Sequence, residues 1–240
     1  MQKYKPYKKN FDHSYSIGIF PTIELLTHRP ADVEQVLFMP ASEHSDGIQK
    51  IRKLCEKARI PIEVNKKIIE RLTFSGNCYA LGIFKKYKSS LNPKSPHVVL
   101  VNPDDAGNLG TILRTMLGFG HHDLAIIRPA VDAFDPKVVR ASMGSIFAQR
   151  IAYFDSIDTY IAQFDHHLYS FVLDTTNRLG ETKFLTNYSL VFGNEGAGLP
   201  EDYKKRGTAV RIEQTGQIDS LNLAISVSLA LYKAFITNKT

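Results

Sequence analysis

Residues 191–199 read VFGNEGAGL, an apolar, β-prone run that stops in three closely set glycines, Gly193, Gly196 and Gly198. Glycines let a backbone come close to a ligand or to another stretch of chain. Two further stretches share the design: residues 102–120 read NPDDAGNLGTILRTMLGFG, and residues 210–222 read VRIEQTGQIDSLN. Each follows or contains an apolar run and ends in small or amide residues. A lone glycine pair is most simply a tight turn after a strand. Three linked loops of this kind argue for one shared site.

Outward from these loops, the second part of the chain alternates. Apolar runs at 98–101, 124–127, 152–154, 168–173, 190–192 and 210–212 predict strands. Between them, 110–118, 136–142, 157–164 and 220–236 predict helices. Uniformly apolar strands between helices imply an α/β fold whose parallel sheet is covered on both faces. An ordinary dinucleotide-binding domain would alternate in the same way, but it requires G-x-G-x-x-G after its first strand. Residues 105–110 read DAGNLG, which lacks that spacing, and no phosphate-cradling G-x-x-x-x-G-K-[ST] occurs.

The front of the chain has no sharp motif. A start into a helix at 16–26, a strand at 33–39, a helix at 48–58, a strand at 60–64, a helix at 68–72 and a strand at 79–84 predict a small α/β domain. The resulting division is a basic tail over 1–14, a small domain over 15–88, a Ser/Pro-rich linker over 89–96 and the larger α/β domain over 97–240.

Composition sets the class. The 240 residues are 43% hydrophobic and 22% charged, ordinary for a globular protein. No apolar run approaches the ~20 residues of a membrane span, and MQKYKPYKKNF lacks the apolar core of a secretory signal. Cys55 and Cys78 have no paired spacing and read as buried thiols of a reducing compartment, so a cytoplasmic location is expected. The net charge of +6 is unevenly spread: residues 1–95 carry 17 Lys and Arg against 9 Asp and Glu, and the remainder 13 against 15. The front part is therefore the one that attracts a polyanion. There Lys3, Lys5, Lys8 and Lys9 interleave with Tyr4, Tyr7 and Phe11, and Lys85, Lys86 and Lys88 flank Tyr87, a pattern suited to phosphate contact and base stacking. The pairs His121–His122 and His166–His167 have no cysteine or carboxylate completing a ligand set, so no metal is expected.

Taken together, the three loops resemble the SpoU (TrmH-type) RNA ribose methyltransferases of the SPOUT superfamily. Asn108, Gly110 and Arg114 match that family's N-x-G-x-x-x-R pattern. Phe192 to Gly198 match its hydrophobic-Gly-x-Glu-Gly-x-Gly run, and Ile212, Gly216, Ser220, Leu221 and Asn222 match its Ile…Gly…Ser-Leu-Asn ending. The resemblance covers roughly residues 96 to 240. It implies a C-terminal trefoil-knot domain with a parallel sheet, which binds S-adenosylmethionine. The order of elements in front resembles the ribosomal-protein-like RNA-binding domain that precedes the catalytic domain in many members.

The resemblance also implies roles. Phe192, Gly193, Gly198, Ile212 and Leu221, with Thr175 less distinctly, match positions around the cofactor. The family's arginine at the place of Arg114 acts at the ribose 2′-hydroxyl. Because free arginine has a pKa above ~12, holding phosphate and stabilising the forming alkoxide suit Arg114 better than proton abstraction. Asn108 could fix that arginine or the ribose, or could instead be a left-handed turn residue. Glu195 could orient Arg114 or the cofactor amine, or cap a loop. Ser220 reads as the N-cap of the last helix, whereas Asn222 is an amide in need of partners. Arg140, in a stretch resembling the family's basic-Ala-Ser-x-Gly segment, joins Lys85 and Lys86 as candidate RNA contacts. The last helix is apolar nearly all round, and in the family it pairs with its symmetry mate.

One position departs: the family usually has Pro-Met after Ile212, where this chain has Glu213-Gln214. The expected function is S-adenosylmethionine-dependent methylation of a ribose 2′-oxygen in tRNA or rRNA by a cytoplasmic homodimer. The departure raises a rival, a non-catalytic RNA-binding paralogue with the same fold.

Overall fold

The computed structural model describes residues 4–40, 45–73 and 78–237; Lys3 of the basic tail lies outside them. In chain order the first elements are β1 (His13–Ile17), α1 (Ile19–His28), β2 (Val33–Phe38), α2 (Asp46–Ala58), β3 (Ile62–Val64), α3 (Lys66–Leu72) and β4 (Ala80–Lys85). There follow β5 (His97–Val101), α4 (Ala106–Gly118), β6 (Asp123–Ile127), α5 (Pro136–Ala141), β7 (Arg150–Phe154) and α6 (Ile157–Ile161). The chain closes with β8 (His167–Phe171), β9 (Tyr188–Phe192), β10 (Thr208–Val210) and α7 (Leu223–Thr237). They form two compact units, Met1–Tyr87 with Asp132–Ala148, and Lys88–Val131 with Gln149–Thr240.

The first unit holds a four-stranded sheet in the order β1-β4-β2-β3. β4 runs antiparallel to both β1 and β2, and β3 runs parallel to β2. Where the sequence suggests a helix from Ser16, a strand ends at Ile17 and Gly18, at φ 111°, turns the chain into α1. Only glycine takes that angle without strain. On α2, Ile48, Ile51 and Cys55 are buried, as their helical spacing implies, and the Ser45 hydroxyl caps the helix by accepting the Ile48 N–H. The stretch expected as a tail over 1–14 is packed from Tyr4 onward. Tyr4 and Tyr7 lie against the core, and Tyr7 donates its hydroxyl to Asp132 at 2.6 Å.

Asp132–Ala148 packs with this first unit, not with the residues on either side of it in the chain. Its Phe134 and Phe147 meet Phe84 edge-on at 6.1 and 5.1 Å, and Phe134 meets Tyr87 at 4.9 Å. A division by linker at 89–96 cannot anticipate this, because two phenylalanines far downstream, Phe134 and Phe147, complete the small core.

The second unit is built on six parallel strands in the order β10-β8-β9-β5-β6-β7. Every residue of β5, β6 and β9 is buried, so the apolar strands do mark a sheet covered on both faces. From β5 the chain runs outward through β6 and β7, and then β8, β9 and β10 form on its other side. The order therefore reverses between β9 and β5, a switch point at whose carboxyl end ligands bind in open α/β sheets.

Several charged and polar groups buried in this unit are paired. Asp123 is fully buried and receives two guanidinium N–H groups from Arg150, at 2.6 and 2.5 Å, and the Asn92 N–H at 2.8 Å. His97, also fully buried, donates Nε2–H to the Asn92 carbonyl (2.9 Å) and accepts the Tyr160 hydroxyl on Nδ1 (2.8 Å). Burial pushes its imidazole down to about 4 from 6.5, and burial also lowers His121. Between those two values the unfolded chain binds a proton that the folded chain refuses. Stability contributed by His97 is therefore complete above about pH 6.5 and is lost as pH falls toward 4. Urea midpoints measured at pH 7.5, 6 and 5 should fall in that order; equal midpoints would contradict a neutral buried histidine. Three of the paired histidines of the sequence have protein partners as well: His121 meets the Tyr188 hydroxyl, His166 meets Ser189 and Pro93, and His167 meets Thr208.

Candidate functional site

The three glycine-bearing loops leave the carboxyl ends of β5, β9 and β10 on the same edge of the sheet. The first runs into α4, which starts at Ala106, four residues earlier than the sequence suggests, because the Asp105 carboxylate accepts the Asn108 N–H at 2.6 Å and caps the helix. Asn108 is thus in the first helical turn; the left-handed residue nearby is Asn102, at φ 54°.

The loops are tied by a chain of side-chain amides. Asn222 accepts the Ala224 and Ile225 N–H groups on Oδ1 (2.9 and 3.3 Å), so its Nδ2 is the atom that donates to Asn108 Oδ1 at 3.0 Å. Asn108 in turn donates Nδ2–H to Glu195 Oε1 at 3.0 Å. Asn222 thereby caps α7, the part expected of Ser220. Ser220 stands exposed three residues before the helix, on the wall of a cavity. Asn194, which the sequence reading passed over, fastens the second loop to the first. Its Nδ2 donates to the Asn102 carbonyl (2.8 Å), and its Oδ1 accepts the Gly196 and Ala197 N–H groups (2.8 and 3.2 Å). Such an Asx turn was open to prediction from Asn-x-Gly alone.

The cavity at this edge has a volume of about 430 Å³, within the ~300–1,000 Å³ usual for small-molecule sites. Phe192, Gly193, Gly198, Ile212 and Leu221 line it, as do Glu195 and Ser220. Phe192 stacks on Phe171 at 4.3 Å, giving the cavity a flat aromatic wall. Thr175 is not among the lining residues; its hydroxyl accepts the Asn177 N–H, and Asp174 takes the place beside the cavity. Gly193 is needed for a packing reason as well, since a Cβ there would lie 2.1 Å from the Gly198 carbonyl carbon. Glu195 Oε2 is buried with no hydrogen-bond partner among the described residues.

The Glu213-Gln214 departure divides in two. Glu213 turns its carboxylate to the Gly180 N–H (3.1 Å), and only Gln214 faces the cavity. Arg114 is exposed on α4, in the row formed with Gly107, Thr111 and Gly118, and has no ion-pair or hydrogen-bond partner among the described residues. The three basic residues considered for RNA all belong to the first unit. Lys85 is exposed and Arg140 half-buried on α5. Lys86 is largely committed: its Nζ lies 2.8 Å from Asp132, donates to the Lys9 carbonyl at 2.9 Å and sits over the Tyr7 ring. Tyr87 is held by Arg29 over its ring at 4.2 Å and by Phe134, which removes it from any stacking platform.

On α7, six residues are buried, but Ile225, Leu229, Tyr232 and Ile236 are exposed in one stripe at helical spacing, with Tyr232 53% accessible. The helix read as apolar all round is therefore buried on one side only within this chain. No helix among the described residues is long and apolar enough to cross a membrane.

A parallel α/β domain with an aromatic-walled cavity at the carboxyl ends of β8, β9 and β10, lined by two of the three glycine loops, is a domain built to hold a nucleotide-sized ligand. Residues 95–232 match the model of the SpoU rRNA Methylase family, and the chain belongs to that family. An uncharacterized tRNA/rRNA methyltransferase of Synechocystis sp. is 36% identical over 57% of this chain and 52% of its own length. The 23S rRNA (uridine(2479)-2′-O)-methyltransferase of Streptomyces viridochromogenes is 31% identical over 57% of this chain and 51% of its own. The chain thus spans about half the length of these two relatives. Among solved structures, an AdoMet-bound rRNA methyltransferase from Sinorhizobium meliloti superposes with a TM-score of 0.79 at 27% identity, over 93% of this chain and 87% of that one. The α/β expectation and the family resemblance are both borne out.

Proposed function

We propose that the protein is an S-adenosylmethionine-dependent methyltransferase that modifies the ribose 2′-oxygen of a nucleotide in tRNA or rRNA. The observation that carries this reading is the hydrogen-bonded chain Asn222–Asn108–Glu195, which ties the three family loops together beside the cavity that two of them line. The residues present fit the cofactor: the aromatic wall of Phe171 and Phe192 suits an adenine, and the unpartnered Glu195 Oε2 suits a cationic or N–H-bearing group. Phe192, Ile212 and Leu221 would hold it, and when bound it supplies an electrophilic methyl group on a sulfonium.

The chain's own residues would do the rest. Arg114, without an ion-pair or hydrogen-bond partner among the described residues, is available to hold the RNA phosphate and to stabilise the alkoxide as the 2′-hydroxyl loses its proton. Asn108 and Asn222 keep Glu195 in place, which reduces the reorganisation needed when substrate arrives. Lys85 and Arg140 are the candidates for RNA contact in the first unit, and Lys86 supports them by its pairing with Asp132. The exposed stripe of α7 fits a second copy of the chain, so the working form is a homodimer in the cytoplasm. The first unit serves as the RNA-binding domain.

The test is incubation of bulk tRNA and rRNA with methyl-labelled S-adenosylmethionine, followed by alkaline digestion. A ribose 2′-O-methyl group blocks cleavage at its own nucleotide, so the label should appear in alkali-resistant dinucleotides. Label in mononucleotides would place the methyl on a base and refute the reading; sedimentation of the same preparation reports the dimer.

A further inference from the structure

Four ionisable side chains line the cavity: Asp174, Glu195, Lys204 and Asp219. Lys204 is already neutralised, its Nζ lying 3.0 Å from Asp174 Oδ2 and 2.9 Å from Glu201 Oε1. Glu195 is not. Among the described residues its Oε1 receives only the neutral amide of Asn108, and its Oε2 is buried without a donor. The polarity of that amide chain is set from the far end, where the α7 N–H groups occupy Asn222 Oδ1. Asp219 stands exposed on the third loop with no ion-pair partner among the described residues. The uncompensated charge facing the cavity is therefore negative, and it comes from Glu195 and Asp219. A buried carboxylate oxygen without a partner is costly to maintain, and a cationic ligand relieves that cost.

We propose that this negative lining makes the site select for charge at sulfur: it holds the sulfonium cofactor more tightly than the thioether left after transfer, so that the reaction itself loosens its product. The inference rests on the cofactor reading above. In the transfer, the methyl carbon bonds to the ribose oxygen, the carbon–sulfur electron pair stays on sulfur, and the positive charge leaves as the hydroxyl proton. The spent cofactor is thus poorer by one positive charge while Glu195 and Asp219 are unchanged. Product inhibition, a common burden of such chemistry, would be weakened by the site's own electrostatics.

Calorimetric titration of the full chain with S-adenosylmethionine, S-adenosylhomocysteine and sinefungin (in which an amine-bearing carbon replaces the sulfonium) tests this directly. At low salt, S-adenosylmethionine should bind roughly tenfold more tightly than S-adenosylhomocysteine, equivalent to about 1.4 kcal/mol, with sinefungin on the tight side. The ratio should contract as salt is raised. Glu195→Gln and Asp219→Asn should each bring the ratio toward one, and Asp219→Asn should do so while leaving S-adenosylhomocysteine affinity within about twofold. Asp219 is exposed, so its variant tests charge without disturbing the fold. Equal or tighter binding of S-adenosylhomocysteine to the unmodified chain overturns the proposal, as does a ratio that survives both substitutions. If none of the three ligands binds a folded protein, the cofactor reading itself falls and takes this inference with it.

Discussion

Gly193→Ala is expected to destabilise the protein by about 3 kcal/mol, the upper end of what overpacking usually costs, and to close the cavity to its ligand. A Cβ at 193 would lie 2.1 Å from the Gly198 carbonyl carbon, 2.3 Å from that oxygen and 2.4 Å from the Leu199 nitrogen. All three are backbone atoms, so no rotamer change relieves the contact; either the 193–199 loop must open or β9 must shift. Gly196→Ala is the control within the same loop, because its nearest neighbour would be the Asn194 side chain at an ordinary 3.5 Å. Urea unfolding of the two variants should separate them clearly. If both unfold at the same midpoint, the crossing of Gly193 and Gly198 is not what holds the loop.

The second large effect is expected at Arg114. Arg114→Ala should lower single-turnover methyl transfer by about 10²–10³, the range found on removing one preorganised charge-stabilising group. Its stability and cofactor affinity should stay close to those of the unmodified protein, because the side chain is exposed and holds nothing within the described residues. Arg114→Lys should recover only a small part of the rate, since an ammonium cannot reproduce the two-pronged guanidinium contact. Full activity in the lysine variant would remove the argument for that geometry, and normal turnover in the alanine variant would remove Arg114 from the reaction.

These two positions illustrate different degrees of legibility. Arg114 stood out because its spacing from Asn108 and Gly110 belongs to a family pattern, and the fold leaves its side chain exposed. Gly193 was readable as a conformationally special residue. Sequence could not say, however, that its close approach is to another stretch of backbone, Gly198–Leu199, as well as to the cavity. Asn222 was marked as an amide needing partners. Its partners are residues far apart in the chain, Asn108 and the α7 amides, and that pairing also took the capping role away from Ser220. The charge cluster around Tyr87 read as an RNA platform because lysine and tyrosine side by side suit one. In the fold, Asp132 neutralises Lys86 and Arg29 covers Tyr87, and both partners come from distant positions.

Local pattern by itself determined most strands and helices of both units, though not β1, together with the parallel character of the second sheet and the three loops that define the family. Those features follow from side-chain period, β-branching and glycine placement within windows of a few residues. Tertiary structure alone decided that Phe134 and Phe147 complete the first unit's core, that Glu213 turns away from the cavity, and that Glu195 keeps one bare oxygen. Each depends on which distant groups meet in space, and the free energy of such meetings is set by packing and desolvation, which no local window contains.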